Sequence, residues 1–458
     1  MSLTKLGAPK NLDSEEEDRS RKGKRGKGGH HFEPRQGKGG KGGKGSKGGH
    51  HGGGHHHPGG NTCSGTKGTF LRHQVIKIVF FKLIKKLTID GCMVRPNLPG
   101  ARLVSVTVHK AADVPSTKAT HFTTQFGQFL DHDITLTPEE HVEGCCGDNT
   151  ADPECLTINV AKDAYFSNTG TTCLEFTRSV SHCEGVTSDR REQTNGITSF
   201  VDGSNIYGSD QVTADLLRTN IGGEMKVTSR DSGDLLPKIE DFYTAGDVRA
   251  REMPGLSVSH TIWLREHNRI AKLLQATLTD DEEIYQAARR IVVAEWQNVV
   301  YGQYMTEVLG EDSLKPNEDG SDYKWSTDPQ MTNEFATAAF RYGHSMIQPT
   351  ITMLAVDDAT TEVGSYNLRD VFFEDGFYEN NFDNILMGLI NLPAQTNDAN
   401  VGEDLTNHLF ANVGLTTDLV ARNLQRGRDH GLPGFCCYYK KMADDDFDCT
   451  QGWDRRYE

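Results

Sequence analysis

Between Arg19 and Gly60 the chain repeats Gly-Lys-Gly-Gly and His-His-Gly units and carries almost no apolar side chain. Such a segment has little to bury and cannot offset the entropy lost on folding. A disordered Gly/Lys/His-rich head is therefore expected over 1–60, and any packed core must come from residues 61–458. The charge divides at the same place. Residues 1–60 hold 13 basic and 6 acidic side chains, and the remainder of the 458-residue chain holds 36 and 58. The acidic body argues against nucleic acid as its main partner, because phosphate binding needs a cationic surface. The head could hold polyanions, and its clusters His30-His31, His50-His51 and His55-His56-His57 could take a transition metal within 19–60.

No apolar run succeeds Met1, so no signal peptide is expected there. Residues 61–100 read as a connecting segment. Within it, Phe70 to Leu87 is apolar but interrupted by Arg72, Lys77, Lys82, Lys85 and Lys86, which excludes a transmembrane helix. Cys145, Cys146, Cys155, Cys173 and Cys183 fall in one loop-like region rich in Gly, Asp, Asn and Thr. Their spacing is not that of a zinc site. Local disulfides in an oxidising compartment are the expectation.

From residue 119 onward, helical periodicity dominates, over 119–132, 256–277, 281–309, 330–346, 383–392 and 403–424. Strand-like alternation is short, as in Arg102 to Val108. The body is expected to be mainly α.

Five segments carry polar groups in patterns that packing alone does not require. In Thr124 to Asp133, a helical wheel places Gln125, Gln128, Asp131 and His132 on one arc and Phe122, Phe126, Phe129 and Leu130 on the other. A near-neutral base flanked by an amide and a carboxylate suits proton transfer, although a lone helical His is more often structural. In Ile197 to Ser209, an extended chain would direct Thr198, Phe200, Asp202 and Ser204 to one side. Hydroxyl, carboxylate and carbonyl oxygens are what a hard cation takes; the plainer reading is a strand ending in an Asp-Gly turn. In Ala245 to Pro254, a helical turn would bring Arg249, Glu252 and Met253 to one face. The Arg265-Glu-His-Asn268 run further along reads as a structural polar face. The last two segments are Phe340-Arg-Tyr-Gly-His344 and Arg422 to Gly434, where Gly431, Pro433 and Gly434 mark a loop.

In this order the five segments closely resemble those of the animal haem peroxidases, over about Ala101 to Phe435. The resemblance implies a peroxidase domain over 101–458, with haem b and calcium as cofactors. It assigns His132 as the distal base, Gln128 as its neighbour and Arg249 as the distal arginine. Asp131 and Glu252 match carboxylates that in many members form esters with haem methyl groups. Met253 stands where one branch of the family bonds a haem vinyl group, which motivates chloride oxidation. His344 matches the proximal iron ligand and Asn423 the amide that accepts from its far nitrogen. Arg341 and Arg426 match arginines near the propionates. Asp133, Thr198, Phe200, Asp202 and Ser204 match the calcium ligands. The resemblance also pairs Cys145 and Cys146 with Cys155 and Cys173.

The implied activity is reduction of hydrogen peroxide with oxidation of a small donor: a halide, thiocyanate or a phenol. The implied location is extracellular. The family's Cys-Asn-Asn and Trp-Gly segments are not visible upstream. Its long helical stretch after the Gly434 position, ending near Arg-x-Gly-Asp-x-Phe, is absent from Phe435 to Glu458, so the domain is expected to be partial. The alternative is a non-catalytic matrix or adhesion protein on the same scaffold. It would have no need to keep His132, Arg249 and His344 together.

Overall fold

The computed structural model describes Thr69–Phe70, residues 98–182, 191–310 and 324–434, and Tyr438. The expected disordered head, most of 61–100, Cys183 and the acidic tail lie outside the described residues. Helix α1 (Ala101–Val108) leads through strand β1 (Pro115–Thr120) directly into α2 (His121–Ile134). After a stretch of short helices, short strands and turns come the two long helices α3 (Pro254–Leu274) and α4 (Asp281–Val299), the latter continued by a π turn at Val300–Tyr304. The hairpin β2 (Thr350–Leu354) and β3 (Glu362–Asn367) precedes α5 (Asp375–Asn391), β4 (Pro393–Gln395) and α6 (Leu419–Asp429). β4 returns to pair antiparallel with β1. The mainly α expectation holds.

The apolar arc of α2 explains why that helix sits where it does. Phe126, Phe129 and Leu130 are buried, and the two phenyl rings lie 4.8 and 5.2 Å from the indole of Trp296 on α4. Trp263 of α3 closes the cluster, 5.4 Å from Trp296. Aromatic packing at these separations contributes beyond area burial alone. It leaves the polar arc of α2 turned away from the core. Helix α3 starts on Pro254, whose missing N–H costs nothing in the first turn. α4 is capped by Asp280, which accepts from the Glu283 N–H. α5 lies against β2 so closely that a Cβ at Gly388 would meet the Thr352 carbonyl oxygen.

Four local expectations are corrected. Arg102 to Val108 is helix, not strand: Arg102 and Ser105 are buried while Leu103 and Val108 face outward, so a buried charged anchor overrides the alternating pattern. The 403–424 pattern is broken. Phe410 and Gly414 adopt left-handed conformations and Leu409 bridges Thr417, so the helix resumes only at Leu419. Within 330–346 the α-helix ends at Thr337 and a 3₁₀ helix runs over Ala339–Met346. Thr198 to Gly203 is a series of bends rather than an extended strand, Ser204 opens a short helix, and Phe200 is 55% exposed.

Two disulfides, Cys145–Cys155 and Cys146–Cys173, staple the loop after α2 as the resemblance implied. Among the described residues no helix is long and apolar enough to cross a membrane.

Buried histidines make this fold acid-sensitive. Burial pushes His121 and His267 down to about 4. His267 lies between the Tyr207 hydroxyl and the Gly223 carbonyl, each at 2.9 Å, and burial outweighs the upward pull of the carbonyl. Their folded pKa lies below the unfolded value of about 6.5, so the unfolded chain binds more protons in between. Their contribution is complete above pH ~6.5 and is lost as pH falls toward 4, at about 1.4 kcal/mol per unit for each histidine. Asp133 and Glu252, raised to about 7, act in the opposite sense over this range. The urea midpoint should therefore fall less from pH 7 to 4 in His267→Gln than in the parent; an equal fall would refute the assignment.

Candidate active site

The polar arc of α2 forms one wall of a cavity of about 360 Å³, within the range of small-molecule sites. Gln128, Asp131 and His132 line it from α2, and Arg249, Glu252 and Met253 from the turn before α3. That turn is not helical. The Ala250 N–H bonds the Asp247 carbonyl and the Glu252 N–H bonds the Arg249 carbonyl, which brings the three side chains to the cavity without a helix. Gly246 permits it, because a Cβ there would meet the backbone of Ser204, Ile206 and Gly208.

His132 is buried. Burial, reinforced by the Arg249 charge, holds it well below its ordinary range, so its imidazole is neutral. Arg249 donates from Nε and Nη2 to the two oxygens of Asp247, each at 2.8 Å, and from Nη2 to the Thr135 carbonyl at 2.9 Å. Its Nη1 stands 3.6 Å from Asp131, whose other oxygen accepts from Thr135 Oγ1 at 2.8 Å. Burial raises both cavity carboxyls, Asp131 and Glu252, the latter to about 7.

A second part of the lining comes from the 3₁₀ segment Ala339–Met346 and from α6. His344 and Arg341 face Asn423 and Arg426 there. Asn423 Nδ2 stands 2.6 Å from His344 Nδ1, and its Oδ1 accepts from Arg341 Nη1 at 3.0 Å. The contact implied by the resemblance is present, but the amide is turned the other way. Its oxygen answers the guanidinium, so its nitrogen faces the ring. Burial and the Arg341 charge lower His344 to about 3. Arg426 is engaged by Glu139, the Thr177 carbonyl, Ser179 and Asp429.

The remaining predicted residues meet behind His132. Asp133 accepts from Trp296 Nε1 at 2.8 Å, from the Gly203 N–H at 3.2 Å and from Ser204 Oγ at 3.1 Å. Thr198 Oγ1 donates to Asp202 at 3.0 Å, and the same carboxylate accepts the Ser204 N–H. Burial, aided by the Asp202 charge, pushes Asp133 up to about 7. Of Phe200 only the backbone suits this cluster. Among the described residues, no group of three or more His, Cys, Asp or Glu side chains gathers as a metal site.

Sequence reasoning passed over Asp247, although it lies in the Ala245–Pro254 segment two positions before Arg249. It also passed over Glu139, whose carboxylate bridges Arg422 and Arg426 at the cavity rim. No periodic signal marks either one. Arg265 to Asn268 proves structural: Asn268 exchanges bonds with the Met225 backbone, at 2.8 and 3.0 Å.

The family model of the animal haem peroxidases matches residues 72–446. The chain belongs to the animal haem peroxidase family. It is 34% identical over 384 residues to peroxidasin of Drosophila melanogaster, covering 75% of this chain and 25% of that one. It is 36% identical over 347 residues to myeloperoxidase of Mus musculus, covering 68% and 48%. Among solved structures, peroxidase A of Dictyostelium discoideum superposes with a TM-score of 0.67 at 28% identity, covering 76% of this chain and 70% of that one. The chain thus spans between a quarter and about half of the length of these two curated relatives.

Membership implies haem, and the cavity fits it. A neutral, half-buried imidazole, His344, and a buried one, His132, line the same cavity together with carboxyls and arginines. The buried Nδ1 of His132 and Nε of Arg341 have no hydrogen-bond partner within the protein.

Proposed function

We propose that the chain is a haem-dependent peroxidase that reduces hydrogen peroxide and oxidises a small donor, a halide, thiocyanate or a phenol. One observation carries the reading: a single cavity is lined by both the His132–Arg249 pair and the His344–Asn423 pair. When bound, haem supplies the iron at which the O–O bond is broken and the redox capacity to pass the oxidising equivalents to a donor.

His344 would ligate the iron through Nε2, which requires the Asn423 amide to turn so that Oδ1 accepts the proton of Nδ1. Arg341 and Arg426 would face the propionates, and Asp131, Glu252 and Met253 would hold the macrocycle at its edge. On the other side His132 takes a proton from the peroxide and returns it to the departing oxygen, which its neutral resting form permits. Arg249 offsets the negative charge that develops in between, and Gln128 orients the small molecule beside them. Asp133, Thr198, the Phe200 carbonyl, Asp202 and Ser204 supply the hard oxygen donors calcium prefers. Calcium there would neutralise two neighbouring carboxylates and steady the end of α2. The disulfides support an oxidising, extracellular setting. The polyanion- or metal-binding role of 19–60 concerns residues outside those described.

Titration of the chain with hemin should give a Soret band saturating at one equivalent. The loaded protein should then oxidise iodide or guaiacol only when peroxide is added. Absence of specific haem uptake sinks the proposal. Uptake without turnover favours the non-catalytic scaffold instead.

A further inference from the structure

The distal wall contains a carboxylate that the family resemblance did not bring forward. Asp247 is buried at 3% exposure. Its Oδ1 accepts from both the backbone N–H and the Nε of Arg249, at 2.9 and 2.8 Å, and its Oδ2 accepts from Nη2 at 2.8 Å. The same Oδ1 lies 3.7 Å from Nδ1 of His132, the buried nitrogen with no partner of its own. Burial works against its charge, but the Arg249 guanidinium, charged and hydrogen-bonded to it, holds the carboxyl well below its usual range, so it stays ionised.

We propose that Asp247 is the positioning residue of the distal face. One carboxylate sets the roll of the Arg249 guanidinium and also keeps the proton of His132 on Nδ1. The proposal rests on the peroxidase reading for its consequence, but its geometry stands independently of it. A base that takes a proton from a ligand in the cavity must present one nitrogen unprotonated, and the tautomer is set by what the other nitrogen meets. Among the described residues, the carboxylate within ion-pair distance of His132 Nδ1 is that of Asp247. A closure of roughly 0.7 Å makes the contact an ordinary hydrogen bond. Gly246 and the turn at Ala250 fix the carboxylate's backbone, so the histidine has a rigid reference. Arg249 is secured in parallel by a bidentate pair, the geometry that specifies a guanidinium's orientation best.

The test is Asp247→Asn beside Asp247→Glu. In stopped-flow work on the haem-loaded chain, Asp247→Asn should slow the reaction with peroxide by roughly 10²-fold or more. The later oxidation of iodide needs no distal base and should change by less than about threefold. Asp247→Glu, which keeps the carboxylate, should recover part of the peroxide step. A second readout needs no haem: imidazole ¹⁵N shifts of the apoprotein, assigned with His132→Gln, should show Nδ1 protonated in the parent and Nε2 protonated in Asp247→Asn. An unchanged tautomer overturns the proposal, as does a peroxide step within threefold of the parent or a parallel loss of both steps together with haem. If Asp247→Asn fails to fold, the Asp247→Glu tautomer decides: Nδ1–H upholds the proposal and Nε2–H overturns it. If the parent itself takes up no haem, the peroxidase reading falls, and the apoprotein spectrum still judges the role of Asp247.

Discussion

Replacing His132 by Ala should lower the rate constant for the reaction with peroxide by roughly 10²–10⁴-fold while haem uptake is retained. The two halves of that result separate because the groups involved sit on different walls. His344 and Asn423 come from the 3₁₀ segment Ala339–Met346 and from α6, and His132 comes from α2. His132 is buried and neutral at rest, the state needed to accept a proton, and among the described residues no other imidazole lines the cavity wall on its side. The other titratable groups on this side, Asp131 and Glu252, face the Arg249 charge, and both are proposed to sit at the edge of the haem. Rapid-mixing measurements of the Soret change against peroxide concentration give the constant directly. A variant that reacts as fast as the parent, or slows only because it has lost haem, would remove His132 from the role of base.

How much of this site could be read from the chain depends on how local each signal is. The wheel of α2 exposed Gln128, Asp131 and His132 because helical periodicity sorts polar from apolar positions within a few residues. The family resemblance supplied His344, Asn423 and Arg249, each recognisable inside a short motif. The pattern failed where a distant contact decides the local outcome. Arg102 to Val108 alternates like a strand, yet it folds as a helix because Arg102 is drawn inward by carboxylates at Asp163 and Asp418. The break between Thr406 and Leu419 rests on left-handed backbone at Phe410 and Gly414, and a phenylalanine gives no warning of a positive φ. Asp247 and Glu139 acquire meaning only when the turn before α3 and the loop after α2 are folded against their partners. No spacing rule links Asp247 to His132.

Substituting Arg102 by Ala should cost about 3–5 kcal/mol of stability, a large share of what a domain ordinarily has. Arg102 is 3% exposed, and its guanidinium is fully occupied. Nε donates to Asp163 at 2.9 Å, Nη1 to Asp418 and to the Thr406 carbonyl, both at 2.7 Å, and Nη2 to Asn407 at 2.8 Å. Removing it leaves the Asp418 carboxylate, buried to 0% exposure, without its cation, which is more costly than never having built the pair. The damage is directed at the site, because Asp418 is the N-cap of α6 and accepts the Ala421 N–H at 2.9 Å, and α6 carries Asn423 and Arg426. Arg102→Lys keeps the charge but lacks the planar fork that reaches four acceptors, so it should fall between the parent and Arg102→Ala. Urea unfolding at pH 7 measures the stability, and hemin titration of the still-folded fraction measures the proximal wall. A loss below about 1 kcal/mol would place this cluster among the ion pairs that contribute little. A full loss with unchanged haem affinity would show that α6 is held in place by its packing rather than by its cap.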